Sequence, residues 1–94
     1  MTEATHHAAR RRIVRVQTGV RMEKTLLKVL KGLAEYCDLS LGDLLEGIVL
    51  AAFEGKSPFE PRTLEAIQRL KEIYGCELTA ADSHRMDEAD ASRG

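Results

Sequence analysis

Ninety-four residues are enough for one domain and no more. With no Trp, two Tyr and two Phe, the core has to be aliphatic. The net charge of -1 hides a segregation: residues 1–31 carry eight basic side chains against two acidic, and residues 32–94 carry six against thirteen. That pattern suggests a front that binds polyanions and an acidic, solvating rear, with an ordinary mixed surface as the alternative.

Several classes are excluded early. Cys37 and Cys76 are isolated and no His stands at zinc-finger spacing, so the cysteines read as reduced thiols of a cytoplasmic protein. The first residues are polar and basic, without the apolar stretch of a signal segment. No apolar run approaches membrane-spanning length, so no membrane partner is expected. There is no glycine-rich phosphate loop, no nucleophile elbow and no rigidly held carboxylate pair, so neither an enzyme nor a cofactor is expected.

Residues 1–11 show no periodicity and read as a disordered basic arm; His6 and His7 lie in it as solvated side chains rather than metal ligands. Residues 12–22 alternate. Val14, Val16, Thr18, Val20 and Met22 share one side, and Ile13, Arg15, Gln17, Gly19 and Arg21 the other. Period-two alternation predicts a short strand with the first set buried. Gly19 interrupts it as a bulge or bend, or marks a close backbone approach.

From Glu23 the period changes. Leu26, Leu27, Leu30, Leu33, Ala34 and Cys37 fall at three-and-four spacing, which predicts an amphipathic helix ending near Cys37 or Asp38. Ser40 is a good N-cap for a second helix, and Asp43 three residues on makes an approximate capping box. Leu41, Leu44, Leu45, Ile48, Val49, Ala52 and Phe53 give that helix a wide apolar face, and Gly55 stops it. After a turn containing Pro58, Pro61 opens a third helix lined by Leu64, Ile67, Leu70, Ile73 and Tyr74 and closed by Gly75. A short helical turn can follow Thr79. The acidic, Ala-rich residues from Asp82 to Gly94 read as mobile; Asp82, His84, Asp87 and Asp90 lie there as solvated side chains rather than a metal site.

A single strand leaves its backbone N–H and C=O groups without partners. The sequence contains no second strand, so the expected solution is antiparallel pairing with the same strand of another copy about a two-fold axis. The wide apolar face of residues 41–53 also asks for more cover than one chain offers.

The run Val20-Arg21-Met22-Glu23, then Leu26, Leu30, Leu33-Ala34-Glu35 and Leu39-Ser40-Leu41-Gly42-Asp43-Leu44-Leu45, resembles the ribbon-helix-helix family. The match spans about residues 13–54. The resemblance implies a mainly α chain with one short strand, folded as an intertwined homodimer around an intermolecular two-stranded antiparallel ribbon, plus an extra C-terminal helix. On that reading residues 1–11 are the arm, 12–55 the ribbon-helix-helix domain, 56–75 the additional helix and 76–94 the acidic tail. It implies a sequence-specific regulator of transcription that inserts its ribbon into the major groove of double-stranded DNA, as a dimer or a dimer of dimers. Base contacts would come from Arg15, Gln17 and Arg21; phosphate contacts would come from Arg12, Lys24, Ser40 and Leu41. Gly19 stands at the central outward position, where the family places a base-reading side chain. Two alternatives accompany this reading: an antitoxin whose C-terminal region holds a protein partner, and a dimeric interaction module that does not bind DNA.

Overall fold

A computed structural model of the chain describes residues 10–89. The basic arm expected at residues 1–11 lies almost wholly outside the described residues, as do residues 90–94 of the acidic tail.

Three helices carry the fold: α1 Lys24–Tyr36, α2 Leu41–Phe53 and α3 Pro61–Tyr74, followed by a short 3₁₀ turn, Ala80–Asp82. They sit where periodicity and punctuation place them. Glu23 caps α1, its carboxylate accepting the Leu26 N–H at 2.8 Å and the Thr25 hydroxyl at 2.7 Å. Ser40 caps α2 by accepting the Asp43 N–H at 3.1 Å. Pro61 takes the first position of α3, where a missing N–H costs nothing.

Each helix ends in a Schellman turn. A residue at or just after the C-cap turns left-handed, and the next N–H reaches back to the helix. Asp38 (φ 58), Gly55 (φ 70) and Gly75 (φ 68) make the three turns. Leu39, Lys56 and Cys76 close them onto the carbonyls of Ala34, Ala51 and Lys71 at 2.8–2.9 Å. Gly55 and Gly75 take this conformation without a Cβ penalty; Asp38 does not.

The helix α1 is the hub. Both α2 and α3 lean on it, and they do not pack on each other. Val29, Leu33 and Ala34 of α1 are buried, with Leu44 of α2 and Cys76 beyond α3. Leu30, Cys37, Ile48, Phe59, Ile67 and Leu70 surround the Leu33–Ala34–Leu44 cluster. The lack of a side chain at Gly32 lets α3 come close. A Cβ built there would stand 2.9 Å from Leu70 Cδ2 and 3.6 Å from Tyr74 Cε2. The Lys28 ammonium lies 5.9 Å from the centre of the Tyr74 ring on the same seam.

The expected strand is absent. Residues 12–22 form no strand, no β-ribbon exists among the described residues, and the chain is all-helical there. The ribbon-helix-helix architecture, with an intertwined homodimer built on that ribbon, is therefore corrected to a three-helix fold preceded by an irregular segment. The physical reason is that alternation supplies a face, whereas a strand also requires a partner for its backbone. None of the backbone hydrogen bonds outside the helices involves residues 12–22. The face expected to be buried is open: Val14, Val16 and Val20 are 90%, 81% and 75% exposed. Only Met22, next to α1, is half-buried.

Candidate nucleic-acid interface

The residues singled out for DNA contact occupy two places, the irregular segment before α1 and the N-terminus of α2. Arg12, Arg15, Gln17 and Arg21 are all exposed on the segment, and Lys24 is exposed in the first turn of α1. Ser40 is exposed at the head of α2, and Leu41 beside it is half-buried.

One contact brings the two places together. The Arg15 guanidinium donates from Nε to Glu46 Oε2 at 3.0 Å and from Nη2 to Glu46 Oε1 at 2.8 Å, a two-pronged grip. Asp43 Oδ1 lies 3.5 Å from the same Nη2. Asp43 also donates its N–H to Ser40 Oγ, so Arg15 and the α2 cap share one neighbour. The pairing with Glu46 holds Arg15 above its ordinary pKa, and the hydrogen bond from Arg15 holds the Glu46 carboxyl below its own. All three side chains stay about half exposed, so water screens the attraction.

Arg21 is engaged too. Its guanidinium meets the Glu88 carboxylate, from the far end of the described chain. Neither partner had a signal in local sequence, because Glu46 and Glu88 are distant in the chain from the arginines they hold. Only the segregation of charge between front and rear pointed that way. Among the described residues, no contact gathers Lys24, Arg12 and Gln17 with the others.

Chemically, the front of the molecule offers an anion planar guanidinium donors, a lysine and a helix N-terminus. The first N–H groups of α2 have no acceptor within the helix. The Ser40 hydroxyl uses its oxygen as acceptor toward Asp43 and keeps its own proton to donate. Opposing this, Asp43 places a carboxylate in the first turn, where the helix dipole already favours negative charge. A phosphate arriving at α2 has to compete with it.

The remaining chemistry is sparse. Cys37 is half-buried, Cys76 is buried, and both are free thiols. Among the described residues no group of three His, Cys, Asp or Glu could hold a metal ion. His6, His7 and Asp90 lie outside the described residues. No helix is long and apolar enough to cross a membrane.

The second notable surface is apolar. Leu44 is the one residue of α2 that is fully buried; Val49, Leu50 and Phe53 face outward, Phe53 81% exposed. No family model, no curated protein and no solved structure matches the chain.

Proposed function

We propose that this chain binds double-stranded DNA as a homodimer and regulates transcription by occupying particular sequences. The observation that carries the reading is the segment of residues 10–24. It is exposed almost throughout, holds Arg10, Arg11, Arg12, Arg15, Arg21 and Lys24 with no acidic residue but Glu23, and is tied by Arg15 to the head of α2. Phosphate contacts supply most of the affinity of such a surface and make it strongly salt-dependent. Arg12, Lys24, Ser40 and Leu41 are assigned to phosphates. Arg15, Gln17 and Arg21 are assigned to base edges, where Arg pairs bidentately with guanine and Gln with adenine.

The homodimer is supported by α2. A helix whose outward residues include Val49, Leu50 and Phe53 is unusual on a protein that stays alone in water. Two copies meeting on that face would cover it and would double the number of basic segments on one duplex. The dimer works in the cytoplasm, where its two thiols stay reduced.

The test is fluorescence anisotropy of labelled duplexes, including the gene's own upstream region, at several salt concentrations. Nanomolar binding to one duplex, far above a random control and falling steeply with salt, is the expected outcome. No binding to any duplex at low salt would overturn the reading.

A further inference from the structure

The segment after α3 returns to the basic front by a built route. Gly75 reverses the chain with a left-handed turn and Cys76 is buried directly behind it. Lys71 Nζ then donates to the Leu78 carbonyl at 2.8 Å. Thr79 and Asp82 close a capping box, the Thr79 N–H donating to Asp82 Oδ2 at 2.8 Å. The Arg85 N–H donates to the Asp82 carbonyl at 2.9 Å, and His84 takes a left-handed conformation (φ 65) that turns the chain again. At the end of this path Glu88 meets Arg21. Residues 76–89 carry Glu77, Asp82, Asp87 and Glu88 against Arg85 alone.

We propose that the acidic segment 76–89 is an intramolecular competitor that holds Arg21 through Glu88 and lowers the affinity of the basic front for double-stranded DNA. This rests on the DNA-binding reading above and adds a regulation to it. The segment offers Arg21 a carboxylate, a charge-assisted acceptor for the same N–H donors that a guanine edge would take. Tethering keeps that carboxylate at high effective concentration whatever the protein concentration. The pair itself is open to water, the Arg21 and Glu88 side chains being 80% and 63% exposed. It therefore attenuates binding without abolishing it: an exposed ion pair corresponds to about a two- to five-fold effect on an equilibrium. DNA binding displaces the segment, and any protein that captured residues 76–89 would raise DNA affinity by the same factor, as linkage requires.

The experiment uses the full chain and its Glu88→Gln variant, with Glu77→Gln as a control that removes the same charge from the same segment away from Arg21. Binding to the duplex the chain prefers, among those of the anisotropy test, is measured at low salt, and the Arg21 Nε–H resonance is followed in the DNA-free protein. The expected result is that E88Q shifts that resonance and tightens binding about two- to five-fold beyond E77Q. If wild type and E88Q bind equally well, the competition is overturned and the DNA-binding reading stands. If no chain binds the duplex, the DNA-binding reading fails and the regulation fails with it. The Arg21 resonance then still reports whether Glu88 makes its contact.

Discussion

Arg15 grips Glu46 across thirty-one residues of chain, with Nε and Nη2 each donating to a different carboxylate oxygen. The contact ties a segment that is otherwise irregular to the side of α2. It also sets a choice for Arg15, since the Nε–Nη2 edge bound to Glu46 cannot at the same time be presented to a base.

That choice can be read by mutation. An arginine that leaves Glu46 for a base edge makes Arg15→Ala cost about 1–3 kcal/mol on the preferred duplex and relaxes specificity there. Unchanged affinity and unchanged sequence preference would show that Arg15 remains a structural tie and contacts no DNA.

Arg21→Ala addresses specificity. If the guanidinium pairs bidentately with a guanine, its loss costs about 1–3 kcal/mol on the preferred duplex and much less on a random one. Competition anisotropy with the two duplexes checks this. Equal losses on both would reassign Arg21 to the phosphate backbone.

The helices were legible in the sequence and the segment before them was not, for a physical reason. A helix satisfies its backbone within itself, so Leu26, Leu30 and Leu33 at helical spacing, Ser40 as cap and Gly55 and Gly75 as stops were sufficient. The alternation of Val14, Val16 and Val20 carried half the information for a strand and none about a partner, and in the structure those side chains stand largely open to solvent. The Arg15–Glu46 and Arg21–Glu88 contacts join distant parts of the chain, and long-range pairing leaves no local pattern. Asp38 gave no sign of its left-handed turn either, because the usual marker of that conformation is glycine.

The homodimer proposal makes opposite forecasts for α2 in isolation and in assembly. Phe53 is 81% exposed in the single chain, where its replacement by Ser should change stability by no more than about 0.5 kcal/mol. With a second copy seated on α2, Leu50→Ser with Phe53→Ser should convert a dimer into a monomer and lower the melting temperature with it. Analytical ultracentrifugation of both proteins at micromolar concentration decides. A wild-type monomer would remove the dimer.

The core and its turns give two forecasts of opposite sign. Leu33 is 2% exposed at the centre of the packing between α1 and its neighbours, so Leu33→Ala should cost about 2–5 kcal/mol. Asp38→Gly should stabilise, because glycine removes the Cβ penalty of the left-handed turn, which is about 1 kcal/mol. Urea unfolding of each variant measures both. A neutral L33A would place the core elsewhere.

Acid should unfold the start of α1 in a way that depends on Glu23. Its carboxylate accepts hydrogen bonds from the Thr25 hydroxyl and the Leu26 N–H, which together hold its pKa below the ordinary carboxylate value. A carboxyl whose folded pKa is depressed stabilises the fold fully above its unfolded pKa, near about 4.3, and loses that contribution as pH falls through the folded value. The Glu46 carboxyl, held down by Arg15, acts with the same sign. Helicity followed by circular dichroism should therefore be flat from neutral pH to about 5 and decline below it. Glu23→Gln should begin less helical at neutral pH, because a neutral amide is a weaker acceptor at a helix N-terminus, and should lose less on acidification. If E23Q and wild type titrate in parallel, Glu23 is a spectator and α1 starts without its help.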